Sequence, residues 1–79
     1  MKSDYTPLQG QYLAFIHYYT KIHGCPPAER EMQFYFRVSP SAVHQMVLLL
    51  EDKGLIERTP GQARSIRVLL PRERIPDLE

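Results

Sequence analysis

The sequence has little of several features that would point to particular classes of protein. It holds a single cysteine, Cys25, which excludes an internal disulfide and fits a reducing cytosol. No apolar run approaches the roughly 20 residues that a membrane-spanning helix needs. The first ten residues contain an acid and a proline but no apolar stretch, so we expect no signal peptide. The formal net charge is +1, which by itself favours no class of partner.

The patterns that carry catalysis or metal binding are also lacking. The spacing of His17, His23 and Cys25 matches no familiar zinc pattern. A nucleophilic Cys25 would need a base and an orienting group, and nothing in the sequence supplies them. There is no glycine-rich phosphate loop between a strand and a helix. We therefore expect no enzyme, no metal and no cofactor.

The residues that are present are distributed unevenly along the chain. Its 79 residues make one small domain, and a hydrophobic content of 43% is enough for a compact fold. All eight aromatic residues lie between Tyr5 and Phe36, whereas residues 37–70 carry five basic side chains against three acidic ones. The first half of the chain is therefore typical of a segment that packs in a core. The second half is typical of a surface that contacts an anionic partner. Random scatter in a short chain is the alternative explanation.

The first helix is predicted from signals at both of its ends. Thr6 and Gln9 can form a capping box, and Pro7 suits the first helical position. Gly24 and the two prolines after Cys25 cannot continue the helix. We expect this helix over residues 7–23. Its apolar side chains recur at helical spacing and are Leu8, Tyr12, Phe15, Ile16, Tyr19 and Ile22.

Two shorter helices are predicted to follow. Glu29 and Glu31 suit the first turn of a helix over residues 28–35, where the helix dipole favours acids. After a break at residues 36–38, Ser39 can cap a third helix that has Pro40 in its first position. This helix is expected to run to Lys53 and to stop at Gly54.

The end of the sequence predicts a β-hairpin and a tail. The segment LIERT has strand character, PGQA can form a turn, and RSIRVLL alternates between apolar and other side chains. The last nine residues are polar, contain two prolines and show no periodicity, so we expect a loose tail. The chain is thus divided into a domain over residues 1–70 and a tail over residues 71–79. The predicted fold class is mainly α with a small β-hairpin, and it has three helices.

The third helix has two different faces on a helical wheel. Val43, Val47 and Leu50 fall in one narrow sector, with Met46 beside them, which predicts a buried seam. The opposite side carries Ser41, His44, Gln45, Leu48 and Asp52. The exposed residues nearest the start of the helix are therefore short or planar hydrogen-bonding groups.

This arrangement is typical of a winged helix-turn-helix. In that motif a helix, a tight turn and a second helix bring the start of the second helix to the base edges in the major groove of DNA. Gln45 can pair with adenine through two hydrogen bonds, Ser41 can meet several bases, and Leu48 can touch a thymine methyl group. The hairpin would form the wing, from which Arg58, Arg64 and Arg67 would reach phosphates or a minor groove.

The sequence also resembles the N-terminal DNA-binding domain of LexA-type repressors. The resemblance covers residues 6–70, and it rests on TPLQ, YLAFIHYYTKIHGCPP, SPSA, LEDKGLIER and GQARSIRVL. It implies that base-contacting positions are occupied by Ser39, Ser41, Ala42, His44 and Gln45. It also implies that the wing contacts the DNA backbone. We add Arg37, in the turn, to the residues expected to contact the backbone.

Three departures from the family pattern lead to further expectations. The family usually has glycine in the turn where this chain has Phe36-Arg37-Val38, so we expect a positive φ at Arg37. Members of the SOS type carry acids at the positions of His44 and Gln45, so a different operator is expected. Such repressors continue into a self-cleaving C-terminal domain, for which this chain has no room, and we expect a stand-alone DNA-binding domain.

The predicted function is sequence-specific binding of double-stranded DNA in bacterial or phage transcription, with the protein in the cytoplasm. The sequence leaves open whether the chain forms a homodimer, and it favours no membrane contact. The alternative is a winged helix that contacts proteins and not DNA. That alternative is supported by the near-zero net charge, by Leu13 and Leu48, which are expected to be exposed, and by surplus tyrosines such as Tyr18.

Overall fold

A computed structural model describes residues 4–79 of the chain as three helices, a two-stranded sheet and one final 3-10 turn. The helices are α1 (Pro7–His23), α2 (Glu29–Phe36) and α3 (Pro40–Asp52). The strands are β1 (Ile56–Glu57) and β2 (Arg67–Val68), and the 3-10 turn spans Arg72–Arg74. The predicted class, a mainly α winged helix-turn-helix with a small hairpin, is confirmed.

The ends of α1 are set by the predicted caps. The hydroxyl oxygen of Thr6 accepts a hydrogen bond from the backbone N–H of Gln9 at 3.2 Å, and Gln9 Oε1 accepts one from the N–H of Thr6 at 2.9 Å. Gly24 ends the helix with φ 76°, and its N–H donates to the carbonyl oxygen of Thr20 at 2.9 Å. Gln9 is buried, and its Oε1 also accepts from Lys53 Nζ at 2.9 Å, which ties the start of α1 to the end of α3.

The buried stripe of α1 is shorter than predicted and is rotated. Leu13, expected to be exposed, is fully buried. Leu8 and Ile22, expected on the apolar face, are 54% and 74% exposed. The reason is that β2 and residues 71–79 also pack on α1, so the helix is covered on more than the side that its apolar spacing marked.

Aromatic side chains hold α2 against α1. The rings of Tyr12 and Phe36 stack with centroids 4.1 Å apart, and those of Phe15 and Tyr35 lie 4.7 Å apart. The concentration of aromatic residues in the first half of the chain therefore serves helix packing. The core is completed from the other elements by Met32, Val43, Val47, Leu50, Leu55, Ile56 and Ile66.

The wing is an antiparallel pair in which Ile56 lies opposite Val68 and Glu57 opposite Arg67. Each strand has only two residues, fewer than the sequence predicted. Beyond the two strands, the side chain of Ser65 holds the connecting loop through hydrogen bonds to its backbone. Ser65 Oγ accepts from the N–H of Thr59 at 2.9 Å and donates to the carbonyl oxygen of Gln62 at 3.0 Å.

The expectation of a loose tail is corrected by the structure, because residues 71–79 fold back onto α1. Ile75 is only 6% exposed. Tyr5 Oη donates to the carbonyl oxygen of Arg74 at 2.6 Å. A Cβ added at Gly10 would lie 2.8 Å from the Tyr5 ring and 3.1 Å from Pro76, so the absence of a side chain at Gly10 permits this close packing. The boundary placed after residue 70 remains a prediction.

The last residues are also bound at their backbone. Gln11 Nε2 donates to the carbonyl oxygen of Asp77 at 3.0 Å, and Gln11 Oε1 accepts from the N–H of Glu79 at 2.8 Å. Tyr35 Oη donates to the carbonyl oxygen of Glu79 at 2.7 Å. These partners lie 44 to 68 residues apart in the sequence, so no local sequence pattern predicts the hydrogen bonds between them.

Candidate nucleic-acid interface

The turn between α2 and α3 consists of residues 37–39. Arg37 has φ 56° and ψ 51°, so the predicted positive φ is confirmed. The backbone N–H groups of Arg37 and Val38 both donate to the carbonyl oxygen of Gln33. Ser39 Oγ then accepts from the N–H of Ala42 at 3.2 Å and caps α3, with Pro40 in its first position. This left-handed residue followed by a cap makes the sharp change of direction between the two helices.

The packing of α3 fixes which of its faces meets solvent. Val43, Val47 and Leu50 are fully buried, as the helical wheel predicted. The opposite face is exposed, and Leu48 on it is 41% exposed. Within the first two turns of the helix, the structure brings together Ser41, Ala42, His44 and Gln45 as exposed residues.

Ser39 differs from the other predicted base-contacting residues. It is exposed, but its hydroxyl oxygen is engaged by the N–H of Ala42 and lies 3.4 Å from the hydroxyl of Ser41. Its side chain therefore serves as the helix cap. The start of α3 also carries the positive end of the helix dipole, which suits a phosphate.

His44 contacts an acid from the preceding helix. Its Nδ1 lies 3.4 Å from both carboxylate oxygens of Glu29, the first residue of α2. In the sequence, Glu29 is recognisable only as an acid suited to a first helical turn. The two residues are 15 positions apart and become neighbours only through the helix-turn-helix geometry, so no sequence signal could have paired them.

Arg64, which is predicted to contact the DNA backbone, has partners within the protein in the structure. Its guanidinium turns back onto the helices, where it donates to Tyr19 Oη at 3.2 Å and pairs with Glu31 at 3.0 Å. The hydrogen bond to Tyr19 and the charge of Glu31 raise the pKa of Arg64 further above its usual range. The side chain therefore connects the wing to the rest of the domain.

The other two wing arginines also have acidic partners, but they differ in exposure. Arg58 Nε lies 3.1 Å from Glu51, and only 23% of its side chain is exposed. The Arg67 side chain is 72% exposed and pairs with Glu57 on the surface of the sheet. Exposed ion pairs contribute little free energy, so the Arg67 guanidinium can exchange its partner at little cost.

The other groups that the sequence analysis weighed are placed outside this surface. His17 on α1 has a buried Nε2 with no hydrogen-bond partner, and its pKa is lowered by burial and by the charges of Arg72 and Lys21. Cys25 is partly buried after the end of α1. Across residues 4–79, no group of three or more His, Cys, Asp or Glu residues could hold a metal ion, and no helix is long and apolar enough to cross a membrane.

Three helices, a left-handed turn before an exposed helix start and a two-stranded wing define the winged helix-turn-helix class of DNA-binding domain. A comparison with protein families matches residues 2–65 to the LexA DNA binding domain. The chain belongs to this family, as the resemblance in the sequence implied.

The curated relatives are LexA repressors from bacteria. The protein is 38% identical over 65 residues to the LexA repressor of Thermotoga petrophila, an alignment that covers 82% of this chain and 33% of that repressor. It is 37% identical over 68 residues to the LexA repressor of Bartonella quintana, covering 85% of this chain and 29% of the relative. The chain thus spans about a third of the length of the relatives it matches.

Proposed function

We propose that this protein binds double-stranded DNA in a sequence-specific manner and regulates transcription, with α3 in the major groove and the wing against the backbone. The observation that carries the proposal is the exposed start of α3, where small and hydrogen-bonding side chains stand opposite a fully buried seam. Membership in the LexA DNA binding domain family supports it.

The proposed base contacts come from the first turns of α3. Gln45 and His44 are the longest hydrogen-bonding side chains there, and a glutamine amide matches the N6 and N7 groups of adenine. Ser41 can bond to several bases, and Leu48 can meet a thymine methyl group. Ser39 and Ala42 lie at the start of the helix, where they would fix its approach to the groove.

The proposed backbone contacts are fewer than the sequence suggested. Arg37 in the turn is exposed, and Arg67 on the wing is largely exposed, so both are placed with the phosphates. Arg58 is largely covered beside Glu51, and Arg64 bonds to both Tyr19 and Glu31, so we propose that these two hold the wing in position.

Two copies on neighbouring half-sites are the proposed binding unit. A single module of this kind buries roughly 600–1,000 Å² of its surface on DNA, which gives modest specificity. A second copy about one helical turn away would restore that specificity. We also propose that the protein acts in the cytoplasm by binding alone, without catalysis and without a membrane.

The test is selection of bound duplexes from a random DNA pool, followed by binding of the selected site and of random duplex at several salt concentrations. We expect a preferred sequence and an affinity that falls steeply with salt. Sedimentation of the saturated complex gives the number of copies, and a strict one-to-one complex would contradict the dimeric unit. A failure to enrich any sequence, with undetectable binding at low salt, would favour a protein-binding module, for which Phe34 and Ile22, each 74% exposed, are the supporting observation.

A further inference from the structure

Glu29 is the first residue of α2, and its carboxylate lies next to the surface of α3. Ala28 precedes it, and the backbone N–H of Ala28 donates to Glu31 Oε1 at 2.7 Å, which fixes the start of α2. Only 31% of the Glu29 side chain is exposed, and it lines a groove between the start of α2 and wing residues 62–66. Its carboxylate therefore lies beside His44 in a partly buried position.

The contact determines which nitrogen of His44 carries the proton. A carboxylate only accepts hydrogen bonds, so the Nδ1 atom that faces both of its oxygens must be the donor. In a neutral imidazole the other nitrogen, Nε2, is then an acceptor. Residues 40–50 contain no charged side chain, so α3 itself offers no competing charge within this segment.

An acceptor at Nε2 distinguishes between bases in the major groove. Adenine and cytosine present an amino group there, whereas guanine and thymine present oxygen and nitrogen acceptors. Two acceptors that face each other cannot form a hydrogen bond, and at least one is left unsatisfied.

We propose that Glu29 is a specificity-determining residue that touches no DNA: by holding His44 with Nδ1 protonated, it makes Nε2 select adenine or cytosine on the strand that the ring faces. The inference rests on the proposed function, since it requires α3 to lie in the major groove. Glu29 acts through His44 and is a positioning residue. A role for Glu29 as a helix-dipole acid alone would change stability, or the affinity for all sequences equally, and would leave base preference intact.

The first measurement needs no DNA. In ¹⁵N spectra of the imidazole at about pH 8, where histidine side chains in general are neutral, His44 should show the Nδ1-protonated tautomer. Glu29→Ala should shift the ring toward the Nε2-protonated tautomer. Asp52→Asn, which removes an acid from the exposed end of α3, is the matched control and should leave the spectrum unchanged. A wild-type ring already in the Nε2-protonated form would overturn the proposal.

The second measurement uses the selected site, its single-base variants and random duplex at the same pH. His44→Ala should lower discrimination at one base pair by about 5- to 10-fold. Glu29→Ala should lower it at that same base pair by about 3- to 5-fold, with guanine or thymine gaining. Glu29→Gln should lower it less, because the amide oxygen can still accept from Nδ1. Adding Glu29→Ala to His44→Ala should have no further effect on the preference.

The outcomes separate this inference from the proposed function. If His44→Ala changes the preference and both Glu29 variants keep that of the wild type, Glu29 is no specificity determinant, while α3 remains the recognition helix. If His44→Ala changes nothing, the inference also fails, and the role of α3 is then judged on Gln45. If the wild-type protein enriches no sequence, the proposed function itself fails, whatever tautomer the spectra show.

Discussion

Arg64 donates a hydrogen bond to the hydroxyl of Tyr19 at 3.2 Å, across 45 residues of sequence. The same guanidinium lies 3.0 Å from Glu31, so one side chain connects the wing to both α1 and α2. Arg64 has φ 59°, a left-handed conformation that non-glycine residues rarely adopt. Such a conformation persists where surrounding contacts hold it. Arg64 thus adds contacts between the wing and the helices to the packing of Ile56 and Ile66 in the core.

The wing arginines should therefore differ when each is replaced by alanine. Arg67→Ala should weaken binding to all duplexes about equally and reduce the slope of log K against log salt by about 1, because one phosphate contact is lost. Arg64→Ala should leave that slope nearly unchanged and lower the free energy of unfolding, because its contacts to Tyr19 and Glu31 are lost.

Salt titrations on random duplex and urea unfolding measure the two effects. Lys21→Ala, an exposed cation in the last turn of α1, is the control and should affect neither. If Arg64→Ala and Arg67→Ala reduce the slope of log K against log salt equally, Arg64 contacts a phosphate, as the sequence suggested, and this prediction is wrong.

Arg37→Gly should be neutral or should stabilise the protein by up to about 1 kcal/mol, since glycine adopts a positive φ without steric cost. Val38→Gly is the matched control, because the positive-φ non-glycine residues within residues 4–79 are Arg37 and Arg64. That variant should be destabilised by the added freedom of the unfolded chain. Urea midpoints measure both, and a loss of more than about 1 kcal/mol in Arg37→Gly would mean that the arginine side chain itself supports the turn.

Gln45→Ala should cost about 1–3 kcal/mol of binding free energy on the selected site and relax the preference at one base pair. Its effect on random duplex should be small, because glutamine neutralises no phosphate charge. Val47→Ala is the control: it truncates a fully buried side chain, so it should lower folding stability without changing the preference of the folded fraction. Unchanged preferences in both Gln45→Ala and His44→Ala would show that α3 is not the recognition helix.

His17 should make folding stability depend on pH. Burial, with the charges of Arg72 and Lys21, lowers the pKa of His17 in the native state, so the unfolded chain takes up its proton at higher pH. The stability from the neutral ring is complete above about pH 7 and is lost as pH falls below about 6.5 toward the native pKa. His17→Gln should flatten the dependence of unfolding free energy on pH between about 7 and 5. An equal flattening by His23→Gln, on the last turn of the same helix, would contradict the assignment to His17.

Local signals predicted most of the fold, and long-range side-chain contacts account for what they missed. The caps at Thr6, Gly24 and Ser39 fixed helix ends because each acts within a few residues of itself. The buried seam of α3 followed from helical periodicity. The packing of Ile75 could not be foreseen, because its segment is held by residues near the other end of the chain.

The sequence predicted where the side chains of the candidate site lie along the chain, but not which side chains they contact. Composition and spacing located the exposed side chains of α3 and the arginines of the wing. They could not show that Arg64 pairs with Glu31 or that His44 contacts Glu29. A sequence gives the charge of a side chain but does not identify its partner. The contacts of Arg64 arise only when the wing folds against α1 and α2.

The return of residues 71–79 onto α1 has a consequence for the order of folding. Tyr5 and Gln11, at the start of the first helix, find their partners 69 and 66 residues later. Contacts of such separation close large loops and form late. During synthesis the aromatic-rich α1 therefore emerges before the other elements of this domain and stays incompletely covered until residues 71–79 arrive. The domain should acquire its full cooperativity only when residues 71–79 have left the ribosome, and until then its exposed aromatic surface is the part that depends most on protection from aggregation.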